Sequence, residues 1–145
     1  MKFVVFVPAL LLATACSGGG NSTPTVYAIS GSYYGTVVSS ADNSGNMGVT
    51  TDGSGNGSFA VQYPGEPVLQ ETFAPPVSSV SGNTLKVNGT IDSACTFAMS
   101  ATMVSANTLK GNYSVTCPGT GTVTATFTLP RGTYSISSAA HAMTR

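Results

Sequence analysis

Residues 95–117 read "CTFAMSATMVSANTLKGNYSVTC", and the fold follows from how this stretch doubles back on itself. Its first half places Cys95, Phe97, Met99, Ala101 and Met103 at every second position. Its second half does the same with Leu109, Gly111, Tyr113, Val115 and Cys117, opposite Lys110, Asn112, Ser114 and Thr116. A period of two is that of a half-buried strand, whose side chains alternate between core and water. Ser105-Ala106-Asn107 has the composition of a turn, so the halves pair as a hairpin. Residues facing each other in an antiparallel hairpin have a constant number sum. If Val104 faces Thr108, that sum is 212. Met103 then meets Leu109, Ala101 meets Gly111, Met99 meets Tyr113, Phe97 meets Val115 and Cys95 meets Cys117. A slip of one residue would turn one strand inside out relative to the other. The register therefore predicts a disulfide between Cys95 and Cys117, a bond suited to an oxidising compartment. Closing a loop of this length contributes about 3 kcal/mol in the chain-entropy account.

The same element recurs. "VSGNTLKVNGT" begins at Val80 and "VSANTLKGNYS" begins 24 residues later at Val104. A repeat of that length is two strands and two turns, one unit of a meander met twice. Leu85, Val87, Gly89 and Ile91 share a face in "TLKVNGTI", as do Val123, Ala125, Phe127 and Leu129 in "TVTATFTL". Asp92-Ser93-Ala94 and Pro118-Gly119-Thr120-Gly121 are the connecting turns.

The first half of the chain is noisier. "YAISGSYYGTVVSS" from Tyr27 reads as one long strand, with Gly31 and Gly35 as bend or bulge candidates. "NMGVTT" and "GSFAVQY" follow, separated by the turn around Asp52-Gly53. "PGEPVLQETFAPP" holds too many prolines for a central strand, and Val68 to Phe73 is expected as a short edge strand in a longer loop. "TYSIS" after Arg131 adds or closes one more strand. Seven to nine sequential strands make an all-β, up-and-down antiparallel meander of about eight strands. It is expected to form a closed or nearly closed barrel, which removes exposed edges. A two-sheet β-sandwich would satisfy the same periodicity. A transmembrane barrel fits poorly, because Lys86, Asn88, Lys110 and Asn112 occupy the outer face.

Only 7% of the 145 residues are charged, there is no Trp and one His, and Ser, Thr, Asn and Gly fill the polar positions. That composition suits an extracytoplasmic β-protein. The chain opens "MKFVVFVPALLLATAC", a basic Lys2, an apolar run too short to span a bilayer, then small residues up to Cys16. This resembles a bacterial lipoprotein signal with its lipobox. The resemblance implies a leader over 1–15, cleavage after Ala15, and Cys16 carrying the lipid. Two or three acyl chains, at about 0.8 kcal/mol per buried methylene, make a firm membrane anchor. Residues 16–25 are then the lipidated cysteine and a Gly/Ser/Thr tether, 26–137 the barrel and 138–145 a disordered tail. Ser17 resembles the enterobacterial outer-membrane sorting pattern, which implies an envelope location, periplasmic or surface facing.

Without a leader containing Lys2, the basic residues are Lys86, Lys110, Arg131 and Arg145, against Asp42, Asp52, Glu66, Glu71 and Asp92. No basic patch exists to displace phosphate counterions, so nucleic acid is excluded as a partner. Catalytic and metal-ligating groups are sparse. His141 lies in the tail without a partner nearby in sequence, and no closely spaced CxxC occurs. "GSGNG" from Gly53 is a hairpin turn, with no helix following to favour an anion. Asn21, Asn56, Asn88 and Asn112 begin chance N-x-S/T triplets. Asp42 and Asp52 cap turns, Glu66 and Glu71 sit in the Pro-rich loop, and Thr122 to Thr128 form a solvent row.

No enzyme and no cofactor are therefore expected. The inward Phe59, Tyr63, Phe97, Met99, Met103, Tyr113 and Phe127 read as filled core or as the lining of a small ligand cavity. The resulting expectation is an envelope lipoprotein with a non-enzymatic binding or structural barrel, similar in outline to small lipocalin-like or calycin-like lipoproteins. Its partners would be the membrane, through the lipid, and an envelope protein or a small apolar ligand. Two narrower readings are a carrier of such a ligand and an inhibitor of a wall-degrading enzyme such as lysozyme. The inhibitor would use loops at Ser39 to Asn46 or Pro64 to Pro76.

Overall fold

A computed structural model describes residues 24–91 and 94–132. Cys16, the tether up to Thr23, the Asp92-Ser93 pair, "TYSIS" and the tail with His141 lie outside the described residues.

The described chain is all β. Its strands are β1 (Gly31–Ser39), β2 (Ser44–Thr51), β3 (Gly57–Gln62), β4 (Leu69–Phe73), β5 (Ser78–Ser81), β6 (Thr84–Ile91), β7 (Cys95–Ser105), β8 (Thr108–Cys117) and β9 (Gly121–Pro130). They form one sheet in the order β4-β3-β2-β1-β9-β8-β7-β6-β5. Every ladder is antiparallel, including the one that joins β1 to β9 through Val37↔Phe127 and Thr36↔Thr128. That ladder brings the first and last strands together, which closes a meander into a nearly complete barrel around one core. A continuous sheet with a single interior is the barrel rather than the sandwich.

The ends of this sheet are two parts of one wall position. Eight antiparallel ladders separate β4 from β5, so the two run in the same sense. Among the described residues β4 pairs only with β3, over Leu69–Phe73. β5 pairs only with β6, over Ser78–Ser81, and Val77 extends that ladder by accepting from Asn88 N at 2.7 Å. Residues 69–81 are thus one broken strand that begins against β3 and ends against β6. Counted this way, the barrel has the eight wall positions expected. The break falls at Pro75-Pro76, whose peptide is cis. Neither proline has an N–H to give a ladder, so a strand cannot run through them.

The β7–β8 register holds the 212 sum from Thr96↔Thr116 through Met103↔Leu109. Beyond it the pairing shifts to Ser105↔Thr108. The turn is therefore the two residues Ala106-Asn107, and Val104 is the extra residue of a bulge rather than the partner of Thr108. The repeat is one hairpin used twice: β5–β6 turns at Gly82-Asn83, β7–β8 at Ala106-Asn107. Each turn asparagine also binds the next strand, since Asn83 O accepts from Met103 N and Asn107 O accepts from Arg131 N.

Three other segments depart from expectation. The first strand starts at Gly31 and not at Tyr27, although Ile29 before it is buried. Gly31 and Gly35 cause no register shift in β1–β2. They serve close approach: a Cβ on Gly35 would stand 3.1 Å from Pro130 Cδ, and one on Gly31 would meet the Arg131 guanidinium. The supposed loop Ser39 to Asn46 is a tight turn after which β2 starts at Ser44. Within Pro64 to Pro76, by contrast, the short edge strand expected over Val68 to Phe73 is present as β4.

Inside, Tyr33, Val37, Met47, Val49, Leu85, Ala101, Met103, Leu109 and Leu129 are within 1% of complete burial. The outer face is polar, with Thr84 and Thr102 hydroxyls bonded at 2.9 Å and Thr116 and Thr122 at 2.8 Å. Tyr33 is fixed at the end of the barrel where the described chain enters and leaves. Its hydroxyl donates to Ser30 O at 3.1 Å and accepts from Arg131 Nη2 at 2.9 Å, while the guanidinium lies 5.1 Å from the ring centroid. Burial pushes the Tyr33 hydroxyl pKa up, and the nearby Arg131 charge opposes that.

Candidate functional site

The inward residues are positioned by pairing. Phe59 on β3 stacks on Phe97 on β7 with ring centroids 4.5 Å apart and planes at 10°. Phe97 in turn tilts at 31° against Tyr113 on β8, at 5.8 Å. The Tyr113 hydroxyl shares a 2.8 Å hydrogen bond with that of Tyr63, just past β3. An aromatic column thus crosses the interior and returns to the strand where it began. Burial is the largest cause pushing the Tyr113 hydroxyl well above the ordinary tyrosine range, and the Tyr63 hydroxyl adds to it.

Cys95 and Cys117 are joined in a disulfide across β7–β8, with Cα atoms 4.2 Å apart. It sits beside the end of β6, where Ile91 pairs with Cys95.

Two inward glycines on neighbouring hairpins behave oppositely. Gly111 is packed tight: an added Cβ would press on the Ser100 carbonyl oxygen and stand 2.6 Å from Phe127 Cζ. On β6 the inward row is Leu85, Val87, Gly89, Ile91, and an added Cβ on Gly89 would meet nothing within 4 Å. Shifted by the repeat, Gly89 corresponds to Tyr113, so the first copy lacks the aromatic that the second copy buries. Phe97 is the cross-strand partner of Gly89, but its ring lies on Phe59 and does not cover the glycine.

The space left is a cleft of about 230 Å³ at the break in the barrel wall. Phe59, Phe73 and Phe97 give its aromatic surface, Val87 and Ile91 its aliphatic one, and Val77, Thr72 and Thr90 lie at its mouth. Glu71 also lines it. β4 alternates Leu69, Glu71 and Phe73 toward the interior, and Glu71 is paired directly with Phe59. Across the cleft, residues 89–91 of β6 lie beyond the reach of β5, and among the described residues β4 has no partner on that side. Main-chain donors and acceptors at these two strand edges face the opening. The arrangement can hold a small body against aromatic rings while offering a few polar partners, the usual character of a ligand site.

Of the residues expected to line a cavity, Phe59 and Phe97 reach this cleft. Met99, Met103, Tyr113 and Phe127 are 1–4% exposed and lie within the packed core. Phe73, Gly89, Ile91 and Glu71 were not anticipated as lining. The repeat alignment of Gly89 with Tyr113 was the available signal for the vacancy.

Elsewhere, Asp52 caps its turn as expected, accepting from Ser54 N at 2.7 Å and Asn56 Nδ2 at 2.7 Å, which holds its carboxyl pKa below the usual range. At the β1–β2 turn Asp42 adopts a left-handed φ of 59°, and Ser39 Oγ accepts there from Ala41 N at 3.3 Å. Glu66 lies in the exposed turn before β4, on a different element from Glu71. Among the described residues no three of His, Cys, Asp and Glu gather as a metal site would need.

No protein-family model matches the chain, and no curated protein matches it. Among solved structures it is similar to one described as "Structure of EF1p2_mFAP2b bound to DFHBI", at 13% identity and a TM-score of 0.49. That match covers 72% of this chain and 94% of the other. Neither a site nor a ligand is carried over from it.

Proposed function

We propose that this protein is a lipid-anchored cell-envelope domain whose barrel binds a small, largely apolar ligand in the cleft beside Gly89. The observation that carries the binding role is the vacancy itself. A wall broken at Pro75-Pro76 opens onto the Phe59–Phe97 stack at the one inward β6 position without a side chain. About 230 Å³ is below the 300–1,000 Å³ of drug-sized sites, which points to a compact ligand of one or two rings. The role proposed is binding and not catalysis. The envelope placement is supported by the lipobox-like stretch ending at Cys16. The segments that an enzyme inhibitor would insert into a cleft are largely strand and tight turn, so carriage of a ligand is the reading preferred.

Two measurements test this. Expressed in a Gram-negative host, the full chain should incorporate labelled palmitate and fractionate with membranes, and Cys16→Ser should abolish both. Absence of label on the parent chain removes the anchor. The soluble barrel should bind naphthylmethanol, and chemical-shift changes should centre on Phe59, Phe73 and Gly89. Changes confined to the outer face, or none, remove the binding role.

A further inference from the structure

We infer that the cleft selects cationic ligands, small aromatic or apolar amines, with Glu71 as their counter-ion. This rests on the binding role proposed above and names the ligand class. The inward row of β4 is Leu69, Glu71, Phe73, and its partners on β3 are Val61, Phe59 and Gly57. Every neighbour of Glu71 in that pattern is apolar or glycine, so alternation alone would place an aliphatic residue there. Glu71 is half-buried, is paired with Phe59 across the β3–β4 ladder and lines the cleft.

The described protein supplies no charge to balance it. Lys86 and Lys110 stand on the outer face of β6 and β8, and Arg131 is engaged with Tyr33 at the barrel end. The Glu71 carboxylate makes no hydrogen bond or ion pair among the described residues. An unpaired carboxylate beside aromatic rings attracts a cation twice over, by charge and through the ring faces. A primary amine on an aromatic body would place its ring on Phe59 and Phe97 and its ammonium at Glu71. An inward charge on an edge strand also discourages strand-to-strand docking, but that role alone gives no selectivity among ligands.

The test compares naphthylmethylamine, naphthylmethanol and naphthoate, which share a skeleton and differ in charge, by titration at neutral pH. The amine is expected to bind about fivefold tighter than the alcohol, the upper end for an ion pair reached by solvent, and naphthoate more weakly than either. Added salt should narrow the gap between amine and alcohol. Glu71→Gln should bring the amine-to-alcohol ratio close to one. Gly89→Val should weaken all three. If amine and alcohol bind alike, or the ratio survives Glu71→Gln, the counter-ion role is overturned while the cleft stands. If no probe binds, or binding ignores Gly89→Val, the cleft reading falls and this inference with it.

Discussion

Gly89 and Gly111 invite the same substitution with opposite outcomes. Both face inward on neighbouring hairpins, and each would become Val. At Gly89 the new Cβ meets nothing within 4 Å. Removing a strand-interior glycine recovers about 0.5–1 kcal/mol of backbone entropy. A fully buried Val side chain contributes about 1.5–3 kcal/mol, and a cleft open on one side should return about half of that. Gly89→Val is therefore expected to stabilise the barrel by about 1.5 kcal/mol, raising Tm by about 6 °C for a domain of this size. At Gly111 the same Cβ would press on the Ser100 carbonyl and the Ala101 Cα, backbone atoms of β7 that cannot rotate away, and would stand 2.6 Å from Phe127 Cζ. Overpacking costs about 1–3 kcal/mol where side chains can yield and more where backbone must move. Gly111→Val should lose about 3 kcal/mol or more. The assay is urea unfolding followed by far-UV circular dichroism and tyrosine fluorescence, since the chain has no Trp. A loss at Gly89→Val comparable to that at Gly111→Val would mean the vacancy does not exist, and the proposed ligand site would go with it.

Replacing Cys95 and Cys117 together by Ala releases a 22-residue separation, so stability should fall by about 3 kcal/mol; urea midpoints of the two proteins check it. Tyr113 and Tyr33 both hold raised hydroxyl pKa values. The folded barrel therefore keeps protons that the unfolded chain loses above about pH 10, and stability should fall as pH rises from there. Tyr113→Phe should make that alkaline decline shallower, while costing about 1 kcal/mol at neutral pH for the Tyr63 hydrogen bond. Arg131→Met removes the hydrogen bond and ring contact with Tyr33 and should cost about 1–2 kcal/mol, read by thermal unfolding. In hydrogen exchange, β4 amides should exchange by local opening and β8 amides only by global unfolding, because β4 is paired on one side and β8 on both. Equal protection of the two would contradict the broken-wall account.

The β7–β8 hairpin was legible because both of its faces are chemically distinct over ten residues, and because two cysteines end it in register. Local chemistry at its tip was less legible: whether Ser105 or Val104 faces Thr108 depends on a bulge, which shifts the register by one residue without changing the hydrophobic pattern. β5 was missed for a different reason. "SSVS" has four residues and no apolar alternation, and it is a strand only because Val77 and Val80 lie against β6. Its relation to β4 is a property of the closed barrel, since only the count of ladders shows that the two run the same way. The prolines of "PGEPVLQETFAPP" are hostile to a central strand, but their consequence is a break in the wall and not a long loop. The cleft was the least legible feature. Periodicity identifies inward positions, whereas a vacancy arises from which ring covers which glycine. Phe127 covers Gly111 and Phe73 covers Gly57, while Phe97 turns from Gly89 onto Phe59.

An interrupted wall ordinarily invites association, since unpaired strand edges recruit other strands. Here the exposed edges are short, five residues on β4 and four on β5, and Pro75-Pro76 follow the first after Ala74. Glu71 adds a charge that a docking strand would have to bury. These same features border the cleft: the proline break separates β4 from β5, and Glu71 and Gly89 both line the opening. The opposite wall is built the other way, with β7 and β8, of eleven and ten residues, paired on both sides and cross-linked at the end nearest Phe97. A ligand entering at the break would press against a fixed wall of β6, β7 and β8 and meet its polar partners on the yielding wall of β4. On the proposed reading, pairing on both sides would set the shape of the site and the singly paired β4 would admit the ligand, so the departure from an ideal eight-stranded barrel is also what would equip it to bind.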